Sequence, residues 1–318
     1  RLDNLVTDRS EYKLTGILGW PVSHSLSPLI HNFWIKKYNK RGSYIPLEIS
    51  PGDLTESIDA CKNLGLTGVN LTIPHKEACL SILDKIDETA REIGAVNTIV
   101  FRTGGRTVGY NTDSFGFRAA IETNTNAGWN LFGKNALVIG SGGASKAVLH
   151  ALKNWGAQEI RITNRTDSRA EKLALEMGSG CKFWRWSDRN KALADVSLLV
   201  NTTSCGMVGQ PPLELDLDLL PKSAVVNDIV YTPLMTNLLK RAKARGNPII
   251  NGLEMLLHQA RPGFKAWFDI EPKITNRRRR RCGVGYRNGS STSTARSNIT
   301  RLPNRIYAIP NKIGRAHV

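Results

Sequence analysis

Residues 136–148 read ALVIGSGGASKAV, and the order of their apolar, glycine-rich and helical parts indicates the fold class. A continuous apolar run, typical of a strand buried on both faces, leads into a glycine-rich turn, and the residues after the turn have helical spacing. Such a turn lets the backbone approach a pyrophosphate, because a helix start offers unpaired amides and a partial positive charge. Alone, the turn is equally compatible with a purely structural role. The candidate cofactor residues here are Gly140, Gly142, Gly143 and Ala144.

The segments after this unit continue the alternation of strand and helix, which is typical of a parallel, doubly wound sheet. Gly156 is placed to end the first helix. A closing helix is predicted over 253–268. The further candidate strands are 159–163, 196–200, 224–229 and 248–250.

The segments before it form another α/β series with a hairpin turn at 103–106. Ser27 is predicted as the N-cap, with Pro28 following, of a helix that runs to about Tyr38. Asp53 is predicted to begin a helix whose apolar face holds Leu54, Ile58, Cys61 and Leu64. The candidate strands are 14–18, 44–49, 68–71 and 97–101.

The end of the second strand after the glycine turn indicates which nucleotide is bound. Sites for NAD usually place a carboxylate there for the adenosine ribose. This chain instead has Asn164-Arg165-Thr166, with Arg169 one turn later and no acid at the strand tip. Two guanidiniums favour a 2′-phosphate, so the residues predict NADP over NAD. The alternative is a pair of solvated surface arginines.

Polar residues at two strand ends of the first series are candidates for binding and chemistry. Ser23-His24-Ser25-Leu26-Ser27 lies at a helix mouth and suits a carboxylate, although helix capping alone would also explain Ser27. Lys76 follows the strand at 70–73, and Asp113 follows Asn111-Thr112. A Lys/Asp pair at the edge of a sheet can pass a proton to a reacting oxygen while the carboxylate holds the ammonium.

Composition limits the class of protein. The 318 residues suffice for two domains, and no apolar run approaches the 18 residues that a membrane span needs. Five scattered cysteines argue against a disulfide framework, and we expect no metal site. The chain begins at Arg1 without the features of a secretory signal. A cytoplasmic protein without membrane contact is therefore predicted.

The net charge of +17 is concentrated in residues 277–318, which carry ten Arg, one Lys and no Asp or Glu, or +11 of the total. The tail has neither helical nor strand periodicity, which predicts a disordered basic arm. Such an arm could bind nucleic acid. The other interpretation is a read-through artefact, since residues 313–318 resemble one reading frame of a sequencing adapter. Nucleic acid is accordingly not the expected partner.

Taken together, the motifs resemble the shikimate dehydrogenase family over about residues 14–268. The resemblance implies NADP-dependent, reversible reduction of 3-dehydroshikimate to shikimate in aromatic amino-acid biosynthesis. It also implies an α/β substrate domain over 12–113, completed by a helix at 253–270, and a Rossmann-type domain over 114–252. The tail has no counterpart in the family. The matching stretches are 23–28, 70–76, 95–98, 111–113, 140–145, 164–166, 201–204 with 206–207, 228–233 and 252–259.

The resemblance also implies roles for single residues. Lys76 and Asp113 would be the catalytic pair. The substrate carboxylate would be bound by Ser25 and Ser27, with Tyr231 near it, and the ring hydroxyls would contact Thr72, Asn97 and Gln259. The cofactor set would be the glycine turn, Asn164, Arg165, Thr166, Arg169, Thr203 and, beside the nicotinamide, Met207 and Gly252.

Three alternatives stay open at this point. A quinate or dual quinate/shikimate dehydrogenase would use the same scaffold, although the paired serines favour shikimate. A non-catalytic, NADP-sensing protein would keep the cofactor fold, but it would not need Lys76 and Asp113, which are both present. A nucleic-acid-binding protein rests on the tail alone.

Overall fold

A computed structural model describes residues 11–126 and 128–274. All of these residues belong to one compact unit. The basic tail at 277–318 lies outside the described residues, so its predicted disorder stays a prediction. The division into a substrate domain and a cofactor domain at the stated boundaries is likewise still a prediction.

The first sheet is mixed, with the strand order β2-β1-β3-β5-β6-β4. Strand β5 runs antiparallel to both of its neighbours, and the other pairs are parallel. The turn predicted at 103–106 joins β5 to β6. The elements of this half are β1 (Lys13–Gly19), α1 (Ser27–Lys37), β2 (Gly42–Glu48), α2 (Leu54–Asn63), β3 (Gly68–Leu71), α3 (His75–Ala78), β4 (Lys85–Ile86), α4 (Glu88–Ile93), β5 (Thr98–Phe101) and β6 (Thr107–Tyr110).

The second sheet is parallel throughout, with the order β12-β11-β10-β7-β8-β9. This is the doubly wound topology that the glycine turn predicted, and the α/β fold class is confirmed. The elements are α5 (Asp113–Asn124), β7 (Asn135–Ile139), α6 (Gly143–Asn154), β8 (Glu159–Thr163), α7 (Asp167–Met177), β9 (Cys181–Phe183), β10 (Val196–Asn201), β11 (Val225–Asp228), α8 (Asn237–Ala244), β12 (Ile249–Ile250) and α9 (Gly252–Phe268).

Buried apolar side chains on both faces of β7 explain why this strand lies at the centre. Residues 136–139 are fully buried, and α6 packs one face of its helix, including Val148 and Leu152, into the same core. Gly156 follows the end of α6 with φ 78°, a conformation that favours glycine. The predicted strand, turn and helix therefore form as expected.

The last helix, α9, completes the core of the first sheet. The indole Nε1 of Trp267 donates to the carbonyl of Ile99 on β5 at 3.2 Å. Gly68 on β3 makes room for that ring, because a Cβ there would lie 2.1 Å from Trp267 Nε1. Phe264 and His31 also belong to this aromatic cluster. Helix α9 thus packs against strands from the first part of the described chain.

Three details differ from the prediction. Ser27 is the first residue of α1 and not its N-cap, which is Leu26 without a side-chain cap. Asp53 ends a short 3₁₀ turn, and α2 begins one residue later. Leu64 lies just past the end of α2 and is 76% exposed, so it leaves the apolar face formed by Leu54, Ile58 and Cys61.

Within 11–126 and 128–274, no helix is both long and apolar enough to cross a membrane.

Candidate active site

The Nζ of Lys76 donates to Oδ2 of Asp113 at 2.5 Å. Lys76 lies on α3, immediately after β3, and Asp113 is the first residue of α5. The lysine side chain is 19% exposed and the aspartate side chain 7%, so the lysine is partly open to solvent and the aspartate is buried. Lys76 is on a short helix and not at the strand end, because the chain turns at Pro74.

Asn97 fixes the other oxygen of that carboxylate. Its Nδ2 donates to Oδ1 of Asp113 at 2.9 Å, and its Oδ1 accepts from the backbone amide of Thr112 at 2.9 Å. Gln259, on α9, contacts the side-chain amide of Asn97: its Oε1 accepts from Asn97 Nδ2 at 3.4 Å. The structure therefore brings together four predicted residues, Lys76, Asn97, Asp113 and Gln259.

A buried chain of hydrogen bonds continues from Asn97 to the serine cluster. Asn70 donates to the carbonyl of Asn97 at 2.9 Å and accepts from the hydroxyl of Tyr44 at 2.7 Å. Burial raises the pKa of Tyr44 well above its usual value, against an opposing hydrogen bond from Ser27. The predicted carboxylate-binding serines and the Lys76–Asp113 pair are thus connected through one buried polar network.

Ser25, Ser27 and Thr72 border this network. Ser27 is 4% exposed, and its backbone amide donates to Oγ of Ser25 at 3.2 Å. Thr72 is half-buried just past β3, and its amide donates to the carbonyl of Leu18 at the end of β1. The two serines therefore lie in one turn, beside the carboxyl ends of β1 and β3.

The glycine turn lies at the carboxyl edge of the second sheet, between β7 and β10, where the strand order reverses. Open α/β sheets bind ligands at such a point. Gly140 has φ 119°, and a Cβ there would lie 2.4 Å from Thr202 Oγ1. The buried Ser145 lies 2.6 Å from the same hydroxyl and accepts from the amide of Gly142. Ser145 therefore holds the turn in shape.

The outer side of the turn is open. A Cβ on Gly142 would meet no atom within 4 Å, and one on Gly143 would meet only Glu77 Oε1, at 3.7 Å. Ala144 follows in the first turn of α6 and is half-buried. The start of α6 therefore offers free space together with amides suited to a phosphate group.

Two exposed arginines follow β8: Arg165 in the loop after the strand and Arg169 in the first turn of α7. Neither guanidinium has a hydrogen-bond or ion-pair partner among the described residues. The nearby carboxylate of Asp167 accepts from the backbone amide of Trp186 at 2.8 Å, so it is engaged elsewhere. Asn164 donates to the carbonyl of Thr166 at 3.1 Å and shapes the turn into α7. This corner is cationic and available to an anion.

The remaining predicted residues lie on loops at the same sheet edge. Thr203 donates to Asn201 Oδ1 through its amide, at 3.1 Å, and through its hydroxyl, at 2.7 Å. Met207 is 41% exposed. Tyr231 is half-buried, and burial raises the pKa of its phenol. Gly252 begins α9, where a Cβ would lie 2.0 Å from the carbonyl oxygen of Ile229.

Helix α9 spans the two groups of residues. Gly252, at its start, packs against the loop after β11, and Gln259 reaches the Lys76–Asp113 network. Positions seven residues apart lie two turns apart on one face of a helix. Across the described residues, no group of three or more His, Cys, Asp or Glu side chains could hold a metal ion.

Two family models match the chain. The first, Shikimate dehydrogenase substrate binding domain, covers residues 17–99, and the second, Shikimate / quinate 5-dehydrogenase, covers residues 122–208. The chain belongs to the shikimate dehydrogenase family. One curated relative in this family, Shikimate dehydrogenase (NADP(+)) of Paramagnetospirillum magneticum, is 48% identical over 84% of this chain and 96% of its own length. The resemblance inferred from the motifs is confirmed.

Solved structures of the family are similar to this shikimate dehydrogenase family member as well. The shikimate 5-dehydrogenase of Thermus thermophilus, in complex with NADP(H) and shikimate, is 36% identical, with TM-score 0.73, covering 82% of this chain and 95% of its own. The quinate dehydrogenase of Corynebacterium glutamicum, in complex with NAD, is 31% identical, with TM-score 0.77, covering 83% of this chain and 96% of its own. The scaffold is therefore shared by enzymes of different substrates.

Sequence reasoning about this family member gave no role to Tyr44 and Asn70 of the buried network beside Asn97, nor to Asn201 and Asp228 at the carboxyl edge of the second sheet. Asn201 and Asp228 end the apolar strands β10 and β11 and are fully buried. A polar residue at the carboxyl end of an apolar run is the signal that could have identified them. Tyr44 has no such signal, since aromatic residues are common within strands.

Proposed function

We propose that this protein is an NADP-dependent shikimate dehydrogenase, which reversibly reduces 3-dehydroshikimate to shikimate in aromatic amino-acid biosynthesis. The observation that carries the proposal is the Lys76–Asp113 pair, held at 2.5 Å and connected to the serine cluster through the buried hydrogen bonds of Asn97, Asn70 and Tyr44. A cofactor-sensing protein would not need this pair. Curated relatives named Shikimate dehydrogenase (NADP(+)) support the reaction and the cofactor.

The residues present fit NADP. The open side of Gly142 and Gly143 leaves room for a pyrophosphate against the start of α6. The unpartnered guanidiniums of Arg165 and Arg169 suit a 2′-phosphate, for which a planar fork of donors is well matched. Asn164 and Thr166 would shape that corner, and Ala144, Thr203, Met207 and Gly252 would complete the contacts.

Lys76 is the proposed proton donor. Reduction of the ketone develops negative charge on the carbonyl oxygen, and a positioned ammonium stabilises that charge before it transfers a proton. NADPH, when bound, supplies the hydride. Asp113 orients the ammonium through Oδ2, and Asn97 orients Asp113 by donating to Oδ1 of the same carboxylate. In the reverse direction, Lys76 in its neutral form would accept the proton of the substrate hydroxyl as the hydride leaves for NADP⁺, and its partly exposed side chain would then release that proton to solvent.

The substrate contacts follow the same network. Ser25 and Ser27 would donate to the carboxylate, with Tyr231 on its other side. Thr72, Asn97 and Gln259 would contact the ring hydroxyls, which need both donors and acceptors. The buried link from Ser27 through Tyr44 and Asn70 to Asn97 supports this arrangement, because it holds both ends of the substrate site in one frame.

A quinate or dual-specificity dehydrogenase is the second candidate. The similarity to the quinate dehydrogenase of Corynebacterium glutamicum favours it. The two free arginines at the end of β8 argue for NADP, whereas that relative is seen in complex with NAD. For the location of the protein we propose the cytoplasm, to which the free thiols at 61, 79, 181 and 205 are suited.

An absorbance assay at 340 nm, with shikimate or quinate and NADP⁺ or NAD⁺ in all four pairs, tests the proposal. We expect shikimate with NADP⁺ to give the highest kcat/KM. A higher value for quinate with either nucleotide would replace the proposed substrate. Activity with neither substrate, from protein that binds NADP⁺, would contradict the proposed reaction.

A further inference from the structure

Asp228, the last residue of β11, is a fully buried carboxylate with three donors around it. Its Oδ2 accepts from the hydroxyl of Thr236 at 2.6 Å. Its Oδ1 accepts from Asn201 Nδ2 at 3.0 Å and from the backbone amide of Val230 at 3.1 Å. One side chain thus contacts the end of β10, the loop after β11 and the start of α8.

Each of these donors is connected to a loop at the proposed cofactor site. Asn201 uses its Oδ1 to accept both bonds from Thr203, and its Nδ2 also donates to the carbonyl of Cys205 at 3.2 Å. The loop 202–208 is therefore held through Asn201, whose amide is in turn oriented by Asp228.

The loop after β11 is connected to the same place. The amide of Val208 donates to the carbonyl of Thr232 at 3.0 Å, so the two loops are joined directly. Thr236, bonded to Asp228, lies under Gly206, where a Cβ would be 3.3 Å from Thr236 Cβ. The amide of Gly252 donates to the carbonyl of Val230 at 3.2 Å. Thr203, Met207 and Gly252 all depend on this arrangement.

We infer that Asp228 is a positioning residue for cofactor binding: through Asn201 and Thr236 it sets the placement of the loop that carries Thr203 and Met207 and of the loop after β11, against which Gly252 packs. The inference rests on the proposed cofactor residues. The inference adds a residue outside the parts of the site that would bind the phosphates, because the buried Asp228 contacts neither the glycine turn nor Arg165 and Arg169. Its effect on both nucleotides is therefore the same, since the 2′-phosphate lies at another part of the site.

Burial raises the pKa of Asp228 to about 6, although the three hydrogen bonds lower it. At neutral pH the group is mostly ionised and needs all three donors. Replacement by alanine leaves Asn201 Nδ2 and the Thr236 hydroxyl without their acceptor. The two loops then lose the side chain to which both are connected. A buried donor that loses its partner is costly, so we expect the loops to move rather than remain in place.

The experiment is isothermal titration of NADP⁺ and NAD⁺ into the wild type, Asp228→Ala and Asn201→Ala. We expect each single substitution to raise both dissociation constants by the same factor, roughly 5- to 30-fold for the loss of a buried bond, with the ratio between nucleotides unchanged. The double variant should have dissociation constants only slightly above those of the single variant that binds less tightly, because both residues act through one network.

Asn247→Ala is the matched control. Asn247 is also buried, and its Nδ2 donates to the carbonyls of Pro221, Lys222 and Ala224 before the amino end of β11. It should lower thermal stability without changing either dissociation constant. If Asp228→Ala does not fold, Asp228→Asn is titrated instead, with the same equal rise for both nucleotides expected.

Unchanged dissociation constants in folded Asp228 variants would overturn the inference, as would a rise confined to NADP⁺. A fall in binding stoichiometry alone, at constant affinity, would show only a loss of folded protein and would also overturn it. The wild type separates this inference from the proposed function: nucleotide binding without turnover of shikimate would contradict the function alone.

Discussion

The side-chain amide of Asn97 donates to Oδ1 of Asp113, at 2.9 Å, and so occupies the carboxylate oxygen that Lys76 does not contact. The carboxylate consequently has one orientation, with Oδ2 turned to the ammonium. A general acid works when it is held at the reacting oxygen, so this pairing determines where the ammonium can act.

Lys76→Ala is expected to lower kcat by about 10² to 10⁴, the usual effect of removing a positioned general acid. The dissociation constant for NADP⁺ should stay nearly unchanged, since Lys76 lies on the substrate side. Steady-state kinetics combined with nucleotide titration would measure both. Retention of most of the turnover by folded protein would assign proton transfer to Asp113 or to a bound water.

Asp113→Asn should also be slow, and Lys76→Ala/Asp113→Asn should be little slower than the slower single variant, because groups that act as one unit are not additive. The ratio of kcat values across the four proteins is the measurement. Multiplicative losses would show that the two residues act independently.

Arg165→Ala is expected to weaken NADP⁺ far more than NAD⁺, because one charge-assisted pair with the 2′-phosphate is worth about 1.5 to 3 kcal/mol. Titration of both nucleotides measures this change. Arg91, an exposed arginine on α4, provides the control substitution Arg91→Ala. Equal losses for the two nucleotides would mean that Arg165 does not contact the phosphate.

Ser25→Ala/Ser27→Ala should raise the KM for shikimate more than it lowers kcat, because two hydroxyl donors to the carboxylate are lost. Initial rates at varied shikimate give both parameters. The exposed Ser223, just before β11, offers the matched control Ser223→Ala. An unchanged KM in the double variant would place the carboxylate elsewhere in the cleft.

Gly68→Ala should destabilise the fold by roughly 3 kcal/mol or more, because overpacking a core is costly. The new methyl would lie 2.1 Å from Trp267 Nε1 and 2.3 Å from the Ile99 carbonyl, and would break the bond between them. Denaturant unfolding measures the loss. Gly52→Ala, where a Cβ meets no atom within 4 Å, should be nearly neutral, and equal stabilities would refute the packing argument.

Asp228 makes the free energy of unfolding depend on pH. Its pKa is about 6 in the folded chain, against an ordinary value of 3.8. Between these values the folded state binds more protons than the unfolded state, so the free energy of unfolding falls as pH rises from about 4 to 6. At about 1.4 kcal/mol per pKa unit, the fall is on the order of 3 kcal/mol.

Asp228→Asn lacks this titration. Its free energy of unfolding minus that of the wild type should therefore increase as pH rises from 4 to 6, and should be constant above pH 6. Urea unfolding of both proteins at several pH values measures the difference. A difference that does not vary with pH would show that Asp228 titrates at its ordinary value.

Much of the fold could be predicted because its strands are apolar runs with clear ends. Strands β3 and β8 have the predicted bounds, and β7 begins one residue earlier than expected. The edge strands β4 and β9 have only two and three residues, too few for any periodicity to appear. Helix ends were harder to predict. The spacing of Leu64 fits the apolar face of α2, but the helix ends one residue before it and its side chain is exposed.

From the sequence, Lys76, Asp113 and Arg165 could be singled out as recognisable residue types close after a strand, and their roles stay predictions. The contacts that orient these groups come from distant parts of the chain. Asn97 meets Gln259 from α9 across 162 positions, and no local pattern predicts such a contact. Asn201 and Asp228 are 27 positions apart and meet only because β10 and β11 are neighbours in the sheet.

The placement of α9 has a consequence for biosynthesis. Lys13 on β1 donates to the carbonyl of Trp267, 254 positions later, and Trp267 fills the space over Gly68. While the ribosome makes the protein, the first sheet emerges long before the helix that covers its aromatic face. That face can be covered only after α9 has emerged, so the core of the first sheet cannot be completed while the ribosome is still making the second.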